Sequence, residues 1–176
     1  HLFEITRVIS GFSSAGLVST HFIEADRSCV HEAAQELDNY ADRFEIIDYL
    51  STAYDGINRV FTSCVAVKKS VLEELGGFDE SVSYGEDTEL WTRIALHYPV
   101  AVSHRVTSIY VRNTGGLMDA RSYKIKNIDT KRLENLSPSI KTVLKYAEEN
   151  PSAFERPDIN NHINGKIIQG IRGYLY

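Results

Sequence analysis

The chain has 176 residues, of which 43% are hydrophobic and 24% are charged, so its size and composition are those of one globular domain with a sizeable core. A net charge of −5 without a basic patch argues against nucleic acid as a partner. No apolar run approaches the length of a membrane span, and the six histidines lack the spacing of a zinc site.

The first part of the chain alternates predicted helices and strands. Residues 2–12 carry apolar side chains at helical spacing and predict a helix. Residues 16–24 predict a strand, and the carboxylates of Glu24 and Asp26 at its end are interpreted as part of a solvated turn. The sequence 32–50 is helix-prone, either as one helix or as two short helices with a break between them.

The middle of the chain adds strands on both sides of a glycine-rich segment. Residues 58–69 predict a strand that leads into a short helix at 70–75. Cys64 lies in an apolar run of this strand and is interpreted as a buried free thiol, which suits a reducing compartment. Two further strands are predicted at 100–102 and 106–111.

The most informative segment is GGFDESVSYGEDTELWTR, residues 76–93. Two glycines and an aromatic residue predict a turn, and after a short loop Glu86 and Asp87 open a helix. The helix dipole favours carboxylates in a first turn, and acidic residues are common there for stability alone. The predicted buried stripe of this helix, at helical spacing, comprises Leu90, Ile94 and His97, with Trp91 and Ala95 beside it.

Two helices are predicted in the last third of the chain. Ser137 and Pro138 are typical of an N-cap and a first helical residue, and Asn150-Pro151 ends that helix. Residues 158–176 predict a last helix that three glycines weaken. We expect its apolar stripe to pack on the preceding helix, with a second subunit or a membrane surface as alternatives. The stripe comprises Ile163, Ile167, Ile168, Ile171 and Leu175.

The order Gly-Gly-Phe-Asp-Glu, a short loop, Gly-Glu-Asp and Leu-Trp-x-Arg resembles the inverting glycosyltransferases of family 2, which have the GT-A fold and use nucleotide sugars. A strand that ends in Tyr110 and Arg112 extends the resemblance over residues 15–118. The resemblance implies an α/β fold: a partial GT-A fold that lacks the N-terminal nucleotide-binding half. Residues 1–118 would be the acceptor-side half of the catalytic domain, and 119–176 a helical C-terminal extension.

The resemblance also implies roles for particular residues. Asp87 corresponds to the general base that takes the proton of the acceptor hydroxyl. Glu86 is interpreted as positioning Asp87 or contacting the acceptor, or as a helix N-terminal residue only. Trp91 is a candidate substrate contact or a core residue. Arg112 would pair with phosphate oxygens of the leaving diphosphate, or is a surface arginine; the family often has a histidine after it, where this chain has Asn113.

Cofactor and partners follow from the same resemblance. The family holds Mg²⁺ or Mn²⁺ through an Asp-x-Asp motif, which we expect outside this chain, so no metal ligand is predicted here and the chain alone is expected to be inactive. The expected partners are a nucleotide-sugar donor and a glycan or lipid-linked acceptor of bacterial polysaccharide biosynthesis. The expected location is the cytoplasm or the inner face of the membrane. A homodimer stays open, and a non-catalytic module that binds a glycan or a partner protein is the alternative function.

Overall fold

The computed structural model describes residues 1–35, 37, 42–52, 59–115 and 137–175, with side chains as far as residue 167 in the last range. The helices in these ranges are α1 Leu2–Gly11, α2 Val30–Gln35, α3 Lys69–Leu75, α4 Glu86–His97, α5 Pro138–Glu149 and α6 Pro157–Leu175. The strands are β1 Leu17–Asp26, β2 Phe44–Ile47, β3 Val65–Val67 and β4 Val100–Arg112. No helix in the described part of the chain is both long enough and apolar enough to cross a membrane.

The described strands form one mixed sheet in the order β2-β4-β1-β3. The two central strands, β1 and β4, are parallel, and each pairs with an antiparallel strand at its other side. This arrangement of helices around a mixed sheet confirms the α/β class. The predicted boundary between residues 118 and 119 lies outside the described residues.

Both faces of the sheet are covered. Successive residues of β1, Leu17 and Val18, point to opposite faces, and each is at most 3% exposed. Leu17 belongs to the core beneath α3 and α4, and Val18 belongs to the core beneath α1. Burial on both faces explains why the start of β1 is apolar without alternation.

A second core joins α4 to the two C-terminal helices. It comprises Leu50, Leu96, Val143, Ala147, Ala153 and Ile159, with Ile163 packed against it. The expectation that the last helix packs on the preceding one is therefore confirmed for the N-terminal part of α6. Further along, Ile167 is 47% exposed, and the side chains of Ile168, Ile171 and Leu175 lie outside the described residues.

The helix predicted at 32–50 is wrong over its second half. A short helix, α2, ends at Gln35, and Phe44–Ile47 is the edge strand β2. Phe44 pairs with Ser103 of β4, and this pairing continues along the strand. Aromatic and β-branched side chains fit a half-buried pleated surface, so sheet pairing overrides the local helical tendency.

Strand limits differ from the predictions in three places. Glu24 and Asp26 remain within β1, because β1 pairs with β4 as far as Arg112, so they are not in a turn. The strands predicted at 100–102 and 106–111 form a single strand whose register shifts between them. The strand predicted at 58–69 is shortened to β3, and a 3-10 turn, Thr62–Cys64, precedes it. Cys64 is buried and free, as predicted.

Candidate functional site

The helix α4 begins where the motif predicts. Gly85 has φ +76°, a left-handed conformation that glycine adopts without a steric penalty. Its carbonyl accepts the N–H of Glu89 at 2.9 Å and the hydroxyl of Thr88 at 3.0 Å. The chain therefore turns sharply into the helix at Glu86, and Asp87 lies in the first turn.

Asp87 is half-buried, and both of its carboxylate oxygens accept hydrogen bonds. The N–H of Thr88 donates to Oδ1 at 2.6 Å, and the hydroxyl of Thr62 donates to Oδ2 at 2.8 Å. The two donors come from different elements, α4 and the 3-10 turn before β3. The carboxylate is thus held in one orientation at the start of the helix.

Tyr49 lies on the inner side of this site. Its ring packs between the two cores that α4 separates. Burial, followed by the negative charge of Asp87, raises the pKa of the Tyr49 hydroxyl. The phenol therefore stays neutral beside the carboxylate at all physiological pH values.

An aromatic cluster fixes the loop that carries Thr62. The ring of Phe61 stacks on Phe22 of β1 with 4.7 Å between centroids. It also meets Tyr110 of β4 edge-on at 4.8 Å. All three rings are half-buried. The residue before Thr62 is thus anchored to both central strands.

Arg112 lies at the carboxyl end of β4 and is exposed. Its Nη1 donates to the Glu24 carboxylate at 2.9 Å, and the next residue, Asn113, donates from its side-chain amide to Asp26 at 2.6 Å. These contacts tie together the ends of the two parallel strands. Neither Arg112 nor Asn113 bonds to Asp87 within the part of the chain that the structure describes.

The other two predicted site residues, Glu86 and Trp91, differ in their exposure to solvent. Glu86 is exposed, and its carboxylate makes no hydrogen bond to any other described residue. Trp91 is 3% exposed in the core beneath α4, and its indole N–H has no partner among the described residues. Phe78 meets its ring edge-on at 6.1 Å. Trp91 therefore occupies a core position, which is one of the two alternatives that the sequence leaves open.

One prediction for the buried face of α4 is wrong. His97 is exposed and meets the ring of Tyr146 edge-on, whereas Leu96 is 6% exposed. The periodicity of α4 alone predicts one apolar face. Because α5 packs against another side of α4, Leu96 is buried there in a second core.

A polar network on that second face involves residues that the sequence did not mark as functional. Glu89 is 6% exposed, and Arg93 and Thr142 both donate to its carboxylate. The Arg93 guanidinium also donates to the main-chain oxygens of Gly76 and Gly77. The i, i+4 spacing of Glu89 and Arg93 is the signal that predicts their pairing.

A cavity of about 710 Å³ opens on this side of α4, between the glycine-rich loop and α5. Arg93 and Glu89 form part of its wall, and Asp87 does not line it. Asp87 precedes Glu89 by two residues, which is about 200° around a helix, so it faces away from the cavity.

The described residues offer no metal centre. Nowhere in the described ranges do three His, Cys, Asp or Glu side chains lie close enough together to hold an ion.

Comparison of the chain with protein-family models, with curated proteins and with solved structures finds no match.

Proposed function

We propose that the chain is the acceptor-side part of an inverting glycosyltransferase of the GT-A fold, with Asp87 as general base. One observation carries this proposal: a half-buried carboxylate opens a rigid helix inside the Gly-Glu-Asp motif, held by Thr62 and by the N–H of Thr88. A general base needs a fixed orientation and free lone pairs within reach of the incoming hydroxyl. Asp87 satisfies the first condition directly.

The proposed reaction joins an acceptor hydroxyl to the anomeric carbon of a nucleotide sugar. The acceptor oxygen forms the new bond from one face while the bond to the diphosphate breaks on the other, so the configuration inverts. The departing diphosphate keeps the electron pair of the broken bond, and Asp87 takes the hydroxyl proton. General-base assistance of this kind contributes about a hundred- to ten-thousand-fold in rate.

The remaining site residues have secondary roles in this proposal. Glu86, exposed beside the base, is free to contact a hydroxyl of the acceptor. Arg112 is a proposed phosphate contact, and to serve as one it must exchange its exposed ion pair with Glu24 for the ligand. Such exposed pairs stabilise a protein by roughly 0–1 kcal/mol, so the exchange costs little.

The test uses the full-length protein that contains this chain and measures release of nucleoside diphosphate. UDP-, GDP- and dTDP-sugars are supplied in turn with Mn²⁺ and a mixture of glycan and lipid-linked acceptors. The change Asp87→Asn is nearly isosteric but cannot accept a proton at neutral pH, so we expect release to fall about a hundredfold or more. Glu80→Gln removes an exposed carboxylate of the same motif and should leave release unchanged.

Three results would overturn the proposal or a part of it. Absence of release from every sugar nucleotide by the wild-type protein would remove the transferase function. Turnover of Asp87→Asn within a few-fold of wild type would rule out Asp87 as the general base. Loss of cooperative melting in Asp87→Asn would show that the carboxylate serves the fold instead.

A further inference from the structure

We propose that Thr62 is a positioning residue that orients the Asp87 carboxylate for proton transfer, an inference that rests on the proposed function. The Thr62 hydroxyl donates to Asp87 Oδ2 at 2.8 Å from a position 25 residues earlier in the chain. No motif or periodicity of the sequence joins these two residues. Folding of the 3-10 turn against the start of α4 brings them together.

The hydroxyl of Thr62 donates to a different kind of acceptor from the hydroxyls of the threonines on α4. Thr88 donates to the main-chain oxygen of Gly85 at 3.0 Å, and Thr92 donates to that of Thr88 at 2.7 Å. Those bonds stay within the helix and serve its backbone. Thr62 is exposed, and among the described residues its hydroxyl bonds only to the Asp87 carboxylate. Secondary structure therefore does not require this hydroxyl.

The turn that carries Thr62 is fixed on both sides. Phe61 stacks on Phe22, as described above, and Cys64 is fully buried. The N–H of Cys64 donates to the Phe61 carbonyl at 2.7 Å, which closes the turn around Thr62. A donor on such a turn stays at one point relative to β1, so it can hold a partner in place.

The bond from Thr62 affects how the Asp87 carboxylate can accept further hydrogen bonds. A carboxylate has two oxygens with about four lone-pair sites, and Thr62 and the Thr88 N–H occupy one at each oxygen of Asp87. The sites left over point in defined directions, where an acceptor hydroxyl can donate. Rotation of an aspartate about its terminal torsion is otherwise broad. Without Thr62 only the Thr88 N–H would hold the carboxylate, and the base would meet the acceptor in more orientations.

The decisive comparison is Thr62→Val against Thr62→Ser in the full-length protein. Valine keeps the branched shape and removes the donor, whereas serine keeps the donor. We expect Thr62→Val to lower kcat by roughly ten- to a hundredfold, with KM for the sugar nucleotide changed by less than about twofold. Thr62→Ser should restore most of kcat. A wild-type kcat in Thr62→Val would overturn the positioning role. A loss of kcat in Thr62→Ser as large as that in Thr62→Val would also overturn it.

The variant Asp87→Asn separates this inference from the proposed function. If Thr62 acts through Asp87, adding Thr62→Val to Asp87→Asn should cause no further loss of turnover, because Asp87→Asn has already removed the base that Thr62 orients. Retained turnover in Asp87→Asn would defeat the base assignment itself. Loss of turnover in Asp87→Asn together with full turnover in Thr62→Val would defeat only the positioning role.

A second measurement needs no substrate. The Thr88 N–H donates to Asp87 Oδ1 at 2.6 Å, so its amide proton resonance reports the orientation of the carboxylate. In a two-dimensional ¹H–¹⁵N spectrum of this chain, we expect the Thr88 resonance to move upfield in Thr62→Val and to stay in place in Thr62→Ser. A Thr88 resonance that is unchanged in Thr62→Val would count against the proposal.

Discussion

The guanidinium of Arg93 donates two parallel hydrogen bonds to the carboxylate of Glu89, from Nε at 3.0 Å and from Nη2 at 2.7 Å. The same group donates to the carbonyl of Leu75, the last residue of α3, at 2.5 Å and to that of Gly77, two residues later, at 2.8 Å. Thr142 of α5 completes the network with a bond of 2.9 Å to Glu89. One side chain therefore links the glycine-rich half of the motif to its helical half.

The first prediction concerns this network. Arg93→Lys keeps the charge but loses the planar fork, so a single ammonium group cannot satisfy both Glu89 and the loop carbonyls. We expect the free energy of unfolding to fall by about 2 kcal/mol. The matched control is Arg43→Lys, because Arg43 is 65% exposed in a 3.4 Å pair with Glu45. That control should change stability by less than about 0.5 kcal/mol, and equal losses in urea titrations would contradict the prediction.

The second prediction concerns close approach at the start of β1. A Cβ atom on Gly16 would lie 2.6 Å from the Cβ of Tyr98 and 2.8 Å from its Cγ. Gly16→Ala must therefore move β1 or the end of α4, and we expect a loss of about 2 kcal/mol. Gly77→Ala is the control, since nothing lies within 4 Å of its added Cβ. A Gly16→Ala melting temperature equal to that of Gly77→Ala would show that the strand yields without cost.

The sequence predicts the elements that local signals define. The helix α4 has an apolar stripe, acidic residues in its first turn and a proline two residues after its end, and each of these signals lies within or beside the helix. Pro138 marks the start of α5 in the same way, although Ser137 makes no capping bond to the helix backbone. The sequence alone therefore predicts correctly that Asp87 lies at a helix start.

Long-range contacts account for what the sequence did not predict. β2 is a strand because β4 offers it an edge about sixty residues further along the chain, and no local pattern contains that information. The bond from Thr62 to Asp87 likewise depends on how a turn packs against a helix. The Glu89 face of α4 is buried because α5 covers it, which a single-helix periodicity cannot show.

The third prediction concerns how the last helix is attached. Ile159 of α6 is fully buried in the core that Val143 and Ala147 of α5 share, whereas Ile167, two turns later, is 47% exposed. We expect Ile159→Ala to lower the free energy of unfolding by about 2–5 kcal/mol. Ile167→Ala should cost less than about 1 kcal/mol. A larger loss for Ile167→Ala would mean that its exposed side is covered in solution, for example by a second subunit.

A buried histidine makes stability depend on pH. His162 of α6 is 2% exposed, its Nδ1 lies 3.2 Å from the Leu50 carbonyl, and its Nε2 has no partner among the described residues. Nδ1 therefore carries the proton in the neutral ring and donates to Leu50. Burial, followed by the positive charge of Lys166, lowers the pKa of His162 to about 4.

The fourth prediction follows from that shift. In the unfolded chain His162 binds a proton below pH about 6.5, whereas in the folded chain it does so only near pH 4, so the unfolded state binds more protons between these values. Stability from this group is complete above pH 6.5 and is lost as the pH falls. Between pH 7.5 and pH 5 we expect a loss of about 2 kcal/mol. His162→Gln, which keeps a donor for Leu50, should remove that part of the pH dependence in urea titrations. His31→Gln, at an exposed position, should retain it, and parallel pH curves for wild type and His162→Gln would refute the assignment.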